Sequence, residues 1–505
     1  MNSRNETSGR ESDSDPLLGR AAATTVAPSQ EAAGTPTRVP GAAAPTNLNG
    51  PALPSAALLA AGKALRERVP RQIHGSWKRD KQKVDPLAIV RASNKGRIEQ
   101  LIPIRHARML QSPFTFYRGA AAVMAADLAK TPTTGLRVQA CGDCHLLNFG
   151  GFATPERKIA FGINDFDETL PAPWEWDIKR LVASFVLAAR CQGLKESDGR
   201  EAAVACVRSY RTRLREYSEM SPMAIWYAGI DLEDLIGLAT GRFAKAVAAR
   251  LGKREAEAKE ARGSELVYPQ LAGMVSGHVR IQDAPPLIFH PPEQSADELH
   301  ARGEAFLKCY RDTLPDERRD LLDQYHLVDV AIKVVGIGRV GTYCIVLLLM
   351  SANNDPLFLQ AKQAGQSVLE PYAGRSAYAH PGQRVVLGQK RMQSSPDIFL
   401  GWATTPLGVQ GYVRQLRDAK IKPLVETMDA TALTFFARAC GWGLARSHAK
   451  SSGSALAISG YLGKTDRFDE AMSSFAVAYA DQTERDHAAL KAAARAGKIK
   501  VQPEE

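Results

Sequence analysis

Apolar residues between positions 119 and 190 follow two different spacings. Residues 119–130, AAAVMAADLAKT, have the period of a short amphipathic helix, which Pro132 and Gly135 close. The runs LRVQA and KIAFGI are short and bounded by turn residues, so they predict buried strands. From Asp177 the apolar positions recur at helical spacing, and WDIKRLVASFVLAAR therefore predicts a helix that begins at Asp177.

A second patterned stretch, AIKVVGIGRVGTYCIVLLLMSANNDPLFLQAKQA, occupies residues 331–364. It predicts a strand, a glycine-rich turn, a second strand, an NND turn and a third strand that carries Lys362. Residues 200–330 are charge-rich and predict mostly helices. Helices also follow to the C-terminus, and ALTFFARACGWGLARSHA is the clearest of them. The pattern as a whole predicts an α+β protein.

Composition separates a tail from a globular body. Residues 1–56 are dominated by Ala, Pro, Thr, Ser and Gly without a periodic apolar face, and we expect them to be disordered. The chain has 505 residues, of which 45% are hydrophobic, enough for a large two-lobed core. The charged N-terminus does not resemble a signal peptide, and the longest apolar run, CIVLLLM at 344–350, is too short to span a bilayer. We therefore expect a cytoplasmic protein without a membrane span.

The seven cysteines are scattered and odd in number, which favours reduced thiols over a disulfide framework. Cys141 and Cys144 form a CxxC, but no second cysteine pair has zinc-ribbon spacing. This pattern favours two small buried residues that flank Asp143.

The formal net charge of +11 is compatible with an anionic partner, and part of it comes from the basic segment at residues 63–83. The chain lacks an RNA-recognition aromatic motif, zinc-finger spacing and a basic region with heptads. We therefore interpret this segment as solvated and find no specific nucleic-acid signal.

Acid, amide and imidazole groups directly follow the two predicted strands in the first patterned stretch. They are Asp143, His145 and Asn148 in ACGDCHLLNFG, and Asp165 and Asp167 in FGINDFDETLPAP. Such residues can cap turns, and this structural interpretation stays open. Polar side chains at the ends of strands are also typical of active sites, and we treat these five residues as candidates.

Glycines in the second patterned stretch lie between two predicted strands. Gly336, Gly338 and Gly341 form a GxGxxG, which is weak evidence by itself. In a dinucleotide-binding fold these glycines follow a strand and open a helix, whereas TYCIVLLLM is β-branched and aliphatic. The pattern instead resembles the glycine-rich hairpin of protein kinases. That resemblance implies a loop over the phosphates of ATP and a role for Lys362 in reaching them.

The sequence GDxHxxN at the first strand end resembles the catalytic loop of aminoglycoside and choline kinases. The resemblance implies that Asp143 orients and accepts a proton from the acceptor hydroxyl, with His145 inside the loop. It also implies that Asn148 and Asp165, the latter in an Asp-Phe dipeptide, bind Mg²⁺. Asp167 is either a second metal ligand or a cap for the following turn.

Two further positions bear on this resemblance. Asp177 in WDIKRLV corresponds to an acid that opens a helix and buttresses the catalytic loop in those families. Glu370 is the candidate for the glutamate that partners the lysine at the nucleotide site in kinases, but the match is less clear because Glu370 follows Lys362 by only eight residues. The next predicted helix, GQRVVLGQKRMQSS, contains no acid, and either Gln383 or Gln389 stands in the position of that partner.

The order of the two half-motifs is reversed relative to a protein kinase. The catalytic stretch, about 119–190, precedes the nucleotide-cradle stretch, about 331–418. If both belong to one domain, that domain is circularly permuted, which folded domains tolerate when the new ends lie at the surface.

Seven motifs spread over the chain resemble a bacterial family known as domain of unknown function 2252. They are SPFTFYRGAA, GDCHLLNFGGF, NDFDETLPAPWEWDIKRL, VVGIGRVGT, LEPYAG, YVRQLRD and CGWGLARSHA. The resemblance covers about residues 65–495 and implies no known activity.

Together these features predict a permuted, two-lobed α+β fold of protein-kinase type. We expect a disordered tail (1–56), a mostly helical lobe with the catalytic loop (57–330), a small antiparallel-sheet lobe that cradles the nucleotide (331–420), and C-terminal helices on the large lobe (421–505).

The expected function is an ATP- and Mg²⁺-dependent phosphotransferase that acts on a hydroxyl group, most simply of a small molecule. Two alternatives stay open. One is a nucleotide-binding scaffold without catalysis, which the unclear partner of Lys362 suggests, and the other is transfer of AMP instead of phosphate.

Overall fold

The protein is described by a computed structural model that covers most of the chain between residues 53 and 502. The described residues are 53–79, 84–156, 158–239, 271–275, 277–285, 287–292, 294–334, 340–416 and 421–502, with a few more between 244 and 268. The expected tail lies outside them except for its last four residues. All described residues belong to one unit, Val39–Glu505.

Sixteen α-helices are assigned within the described part of the chain. They are α1 (Ser55–Arg68), α2 (Pro86–Ala92), α3 (Ile102–Leu110), α4 (Pro113–Gly119), α5 (Ala121–Leu128), α6 (Trp174–Cys191), α7 (Glu196–Ser218), α8 (Pro222–Tyr227), α9 (Leu232–Gly237), α10 (Ala296–Arg311), α11 (Asp316–Leu322), α12 (Glu370–Ala373), α13 (Pro381–Met392), α14 (Ala430–Ser451), α15 (Ala455–Leu462) and α16 (Arg467–Arg495).

The strands form one large and three small antiparallel sheets. They are β1 (Arg137–Ala140), β2 (Phe149–Ala153), β3 (Ile159–Ile163), β4 (Leu170–Pro173), β5 (Ala272–Val275), β6 (His278–Ile281), β7 (Ile288–Phe289), β8 (Tyr325–Lys333), β9 (Cys344–Ser351), β10 (Pro356–Gln363), β11 (Gly401–Thr404) and β12 (Gln410–Gln415). The large sheet has the order β11-β12-β10-β9-β8-β7, and β1-β4, β2-β3 and β5-β6 pair separately. The predicted α+β class is confirmed.

Helices α6 and α14 form the centre of the helical region. Every residue of α6 from Trp174 to Ala189 is buried, because α7, α16 and α14 all pack around it. Small residues let the helices approach closely: a Cβ on Gly441 of α14 would collide with the carbonyl oxygen of Cys206 in α7. The apolar repeat that predicts these two helices is therefore also what buries them.

The large sheet is covered on both faces. On one face Leu347, Leu359 and Val413 pack against Phe306 and Tyr310 of α10. The opposite face is apolar at one end, but at the other end it carries Lys362 and Tyr412, which are cross-strand partners on β10 and β12. Tyr412 belongs to the core of the helical region, so this end of the sheet meets the helices.

The sequence located most elements but misplaced some details. Helix α6 begins at Trp174 rather than at Asp177, so Asp177 lies in its first turn. Between residues 200 and 330 the structure contains strands β5, β6 and β7 besides the expected helices. These strands are only two to four residues long, too short for a period-2 pattern to reveal them.

The basic segment at 63–83 is not fully solvated, which corrects the expectation from its charge. Arg79 is buried and donates to Asp127 (Nε to Oδ1, 2.8 Å) and to Asp486 (Nη1 to Oδ1, 2.6 Å). Tyr479 completes the network by donating to Asp127 at 2.9 Å. These ion pairs fasten the segment to α5 and α16.

Candidate functional site

Asp177 of α6 accepts two hydrogen bonds from the backbone of the loop between β1 and β2. One carboxylate oxygen of Asp177 accepts from the backbone N–H of Cys141 (2.6 Å), and the other accepts from Gly142 (3.0 Å). His448 of α14 lies with Nε2 3.2 Å from Asp177, and Tyr210 contacts the other ring nitrogen at 2.9 Å. Since all of these groups are buried, the loop that contains Asp143 has a fixed backbone.

The carboxylate of Asp143 is fixed by Arg180, one turn along α6 from Asp177. Arg180 donates from Nε to Asp143 Oδ1 at 2.7 Å and also from Nη2 to the same oxygen. The same Nη2 donates to the carbonyl oxygen of Tyr117 at 3.1 Å, and the guanidinium lies 4.4 Å from the centre of the Tyr117 ring. Burial opposes the charge of Arg180, but Asp143 outweighs it and raises the pKa of the guanidinium. The side chain of Asp143 is partly exposed, so it remains accessible from solvent.

His145 lies beside Asp143, with Nε2 3.8 Å from Asp143 Oδ2. Burial lowers the pKa of His145 to about 4, and the positive charges of Arg118 and Arg180 add to this effect against Asp143. The imidazole is therefore neutral at pH 7. Its Nδ1 is buried and has no hydrogen-bond partner among the described residues.

Asn148 forms hydrogen bonds with both polar segments, the one after β1 and the one after β3. Its Nδ2 donates to the carbonyl oxygen of Asp143 at 2.6 Å, which leaves the side-chain oxygen for another partner. Its own carbonyl oxygen accepts from the backbone N–H of Asn164 at 2.8 Å. The thiol of Cys141 donates to the carbonyl oxygen of Asp165 at 3.4 Å. These contacts link the segments that carry Asp143, Asn148 and Asp165.

The turn after β3 is organised by Asp165. Its carboxylate accepts from the backbone N–H of Asp167 at 3.2 Å, so Asp165 caps this turn. Asp167 is buried. The next residue, Glu168, accepts from the backbone N–H of Val368 at 2.8 Å, and its carbonyl oxygen accepts from Ser367 Oγ at 2.6 Å. The turn is thereby attached to the chain that follows β10.

Lys362 is buried on β10, with Nζ 5.9 Å from the centre of the Tyr412 ring. Arg384 of α13 forms hydrogen bonds both with the chain after this strand and with the turn at Asp165. Its Nη2 donates to the carbonyl oxygens of Asp167 (2.8 Å) and Gly365 (2.9 Å). Gly365 is three residues after Lys362, and Asp167 is two residues after Asp165. Nη2 of Arg384 therefore connects the segment that carries Lys362 with the segment that carries Asp165.

A second contact supports the same arrangement. Arg414 lies two residues from Tyr412 on β12, and alternate residues of a strand share a face. Its Nη1 donates to the carbonyl oxygen of Asn164 at 3.4 Å, directly before Asp165. The sheet face that carries Lys362 is therefore the one that faces the Asp165 turn.

The residues considered as partners of Lys362 make other contacts. Glu370 accepts from the backbone N–H of Ser367 at 3.1 Å, a local bond at the start of α12. Gln389 on α13 donates to Gln393 at 2.8 Å. Gln383 lies six residues, nearly two turns, earlier on the same helix.

Of the three candidate glycines, Gly336 and Gly338 lie outside the described residues. Gly341 adopts φ 87°, a conformation that favours glycine, and its carbonyl oxygen accepts from the backbone N–H of Ile98 at 2.7 Å. Strands β8 and β9 on either side are antiparallel neighbours. The glycine segment therefore joins two strands, which excludes the dinucleotide-fold alternative.

Four residues of the site were not singled out from the sequence: Tyr117, Arg180, Arg384 and His448. Arg180 has a helical spacing of three from Asp177, which is a usable signal once α6 is known. The other three come from distant helices, and no local pattern marks them.

Asp165 and Asn148, which the kinase resemblance assigns to Mg²⁺, carry side-chain oxygens, the kind of ligand that Mg²⁺ takes in proteins. Among the described residues, no group of three His, Cys, Asp or Glu side chains is arranged to hold a metal ion. Mg²⁺ commonly takes one or two protein oxygens and completes its shell with phosphates and water. Within the described ranges the side-chain oxygen of Asn148 accepts no hydrogen bond, so Asn148 and Asp165 offer one amide and one carboxylate oxygen of this kind.

The remaining general expectations concern thiols and membranes. All seven cysteines are free thiols, and Cys141 and Cys144 are buried on either side of Asp143 as expected. No helix in the described ranges has both the length and the apolar character needed to cross a bilayer.

The fold and the site define an α+β protein. In it, side chains of α6 hold a loop with acid and amide groups, and the adjacent Asp165 turn faces the side of an antiparallel sheet that carries Lys362. The chain belongs to the bacterial family described as "Uncharacterized protein conserved in bacteria (DUF2252)", whose model matches residues 97–493. No curated protein and no solved structure matches the chain.

Proposed function

We propose that the protein is an ATP- and Mg²⁺-dependent phosphotransferase that phosphorylates a hydroxyl group of a small molecule. The observation that carries this proposal is the bridge made by Arg384 between the Asp165 turn and the chain after Lys362. It brings the segment with the candidate metal ligand next to the strand with the candidate phosphate-binding cation. Phosphoryl transfer depends mainly on positioning and charge stabilisation, for which these two groups are suited.

The order of elements in the large sheet supports a kinase-like small lobe. Strands β8 and β9 form a hairpin around the glycine segment, and Lys362 lies on the third strand, β10. Helices α12 and α13 follow before β11 and β12. Protein kinases use the same succession of glycine-rich hairpin, lysine strand and helix. In this chain it follows the Asp143 loop, so the proposed domain is circularly permuted.

Each polar residue receives a role in this proposal. Asp143 accepts the proton of the acceptor hydroxyl, and Arg180 holds its carboxylate in place. Asn148 and Asp165 hold Mg²⁺, which neutralises phosphate charge when it is bound with ATP. Lys362 contacts the phosphates from the sheet.

The other residues act on the geometry. His145, neutral at pH 7, fills the space beside Asp143 without adding a charge. Gly341 closes the glycine segment, and Asp167 is placed as a second acid of the metal-binding turn. Glu370 stabilises the start of α12 and is assigned no contact with the nucleotide.

A non-catalytic nucleotide-binding protein is the second candidate. The observation that favours it is the sequence of α13, which carries Arg384 and no acid where kinases present a glutamate to the lysine. Such a protein would bind Mg²⁺·ATP without turning it over.

The proposal is tested by measuring Mg²⁺·ATP binding calorimetrically and the slow hydrolysis of γ-labelled ATP in the same preparations. Asp165→Asn should abolish Mg²⁺-dependent binding, because it removes a metal ligand. Asp143→Asn should bind normally but lose most turnover, about 10²-fold or more for a proton acceptor. Asp320→Asn, an exposed acid on α11, is the matched control and should match the wild type.

Three results separate the candidates. Binding without turnover in the wild type favours the non-catalytic protein, and release of the γ-label as pyrophosphate instead of inorganic phosphate would indicate AMP transfer. Normal Mg²⁺·ATP binding by Asp165→Asn would contradict the assigned site.

A further inference from the structure

The chain directly after Tyr117 lies beside the candidate proton acceptor. Nη2 of Arg180 donates both to Asp143 and to the carbonyl oxygen of Tyr117. That carbonyl belongs to the peptide group that joins Tyr117 to Arg118. The backbone of Arg118 is therefore fixed, through one guanidinium nitrogen, next to the carboxylate of Asp143.

The side chain of Arg118 differs from the other arginines around it. Arg180 is paired with Asp143, and Arg105 donates to Asn94 and to the carbonyl oxygen of Gly119. Within the described residues, Arg118 makes no hydrogen bond and no ion pair, and its Nε is buried. A buried N–H without an acceptor is unfavourable, whereas the terminal nitrogens of Arg118 are not buried in this way, so its guanidinium is accessible to an anion.

The charges near Arg118 locate its guanidinium on the acceptor side of the site. Burial lowers its pKa, while Asp143 and Glu426 act in the opposite direction. Its positive charge in turn contributes to lowering the pKa of His145. The guanidinium therefore lies in the neighbourhood of Asp143, His145 and the exposed Glu426.

We propose that Arg118 binds an anionic group of the acceptor, so that the substrate is a hydroxy compound carrying a carboxylate or a phosphate. This inference rests on the proposed phosphotransferase function and deepens it. Guanidinium groups bind both kinds of anion with charge-assisted hydrogen bonds. An anion on Arg118 holds the acceptor beside Asp143, where its hydroxyl loses a proton. The resemblance to aminoglycoside and choline kinases would instead suggest a cationic acceptor.

The test measures binding of four small hydroxy compounds to the full chain without nucleotide: glycerate, glycerol 3-phosphate, glycerol and choline. These small hydroxy compounds differ in the group they carry, which is a carboxylate, a phosphate, no charged group and a cation, respectively. We expect the wild type to bind at least one of the two anions more tightly than glycerol or choline. The preferred anion then identifies which of the two groups the acceptor carries.

Three variants assign that preference to Arg118. Arg118→Gln should weaken binding of the preferred anion by about ten- to a hundredfold, the value of a charge-assisted hydrogen bond. Arg118→Lys keeps the charge without the planar fork and should recover part of the affinity. Arg208→Gln, at an exposed arginine of α7, controls for net charge and should bind like the wild type.

Two results would overturn the proposal: no anion preference in the wild type, or unchanged anion binding in Arg118→Gln. If Arg118→Gln unfolds, Arg118→Lys decides: binding of the preferred anion as tight as in the wild type would overturn the proposal, because the planar fork of Arg118 would then make no difference. Mg²⁺·ATP binding is measured separately. Its absence from the wild type would refute phosphotransfer, while the anion measurements would still decide the role of Arg118.

Discussion

Arg180 Nε lies 2.7 Å from Asp143 Oδ1, and this ion pair connects the middle of a buried helix to the loop that the sequence marks as catalytic. The guanidinium is almost completely buried, whereas the side chain of Asp143 is 24% exposed. One partner is thus held by the core and the other is partly open to solvent. The pair fixes the direction of the carboxylate more than it stabilises the fold.

Replacing Arg180 by methionine should destabilise the protein by about 3 kcal/mol, the lower end for a broken buried ion pair, because Asp143 retains contact with water. The double variant Asp143→Asn/Arg180→Met should be less destabilised than the sum of the single variants, since no unpaired carboxylate remains. Urea unfolding at pH 7 measures all four proteins. Arg208→Met, at an exposed position, is the control, and strictly additive single effects would contradict the coupling.

Replacing Gly142 by alanine should cost more than replacing Gly96 by alanine. Both glycines have positive φ, 83° and 79°, and each alanine pays about 1–2 kcal/mol for that conformation. A Cβ on Gly142 would also collide with the carbonyl oxygen of Glu168, whereas nothing lies near one on Gly96. We expect a further loss of about 1–3 kcal/mol at Gly142 from this overlap.

Thermal or urea unfolding of the two glycine variants gives the difference directly, with Gly96→Ala as the matched control. Gly142→Ala should in addition reduce turnover, because the overlap displaces the backbone beside Asp143. Equal stabilities of the two variants would show that the backbone near Gly142 can shift to relieve the overlap without a loss of free energy of unfolding.

His290 makes the stability around β7 depend on pH. Its Nδ1 lies 2.8 Å from Asp283 and its Nε2 lies 3.1 Å from Asp329, and Arg280 is 3.8 Å from Asp329. The hydrogen bond with Asp329 raises the pKa of His290, with a smaller contribution from Asp283 and against partial burial. The stabilisation is therefore complete below about pH 6.5, the ordinary histidine pKa, and is lost as the pH rises through the raised value.

Hydrogen exchange of the Ile281 amide, which donates to Asp329, reports this change locally. We expect its protection to fall from pH 6.5 upward in the wild type, after correction for the intrinsic exchange rate. His290→Gln should remove the pH dependence, and His326→Gln, at an exposed histidine, should keep it. The same pH profile in His290→Gln would assign the effect to another group.

The individual elements of the fold could be read from the sequence where the apolar pattern is long. The helical spacing from Ile178 to Ala189 and the aliphatic run of β9 define α6 and the centre of the sheet, because burial of one stripe or one strand requires those positions to be apolar. The short strands β5, β6 and β7 escaped prediction, since two to four residues have no measurable period.

The candidate site was determined in part by the sequence as well. Asp143 follows β1, and Asn148 and Asp165 lie at the same end of the paired strands β2 and β3, so their proximity is a local consequence of that strand pair. Their chemical roles stay predictions, as do those of Lys362 and the glycines, because chemistry depends on a nucleotide and an acceptor that the chain alone does not specify.

Only the tertiary structure decided which distant residues complete this site. Arg384 reaches the Asp165 turn from more than two hundred positions away, and His448 reaches Asp177 from an even greater separation. No local pattern marks either residue, because a buried hydrogen bond depends on the distance between atoms in the fold and not on spacing along the chain. The sequence by itself determined the polar loop and the lysine strand. Packing of α6, α13 and α14 determined that the polar loop and the lysine strand face each other. The same packing places Arg118 near the loop, where its Nε has no hydrogen-bond partner in the described part of the chain.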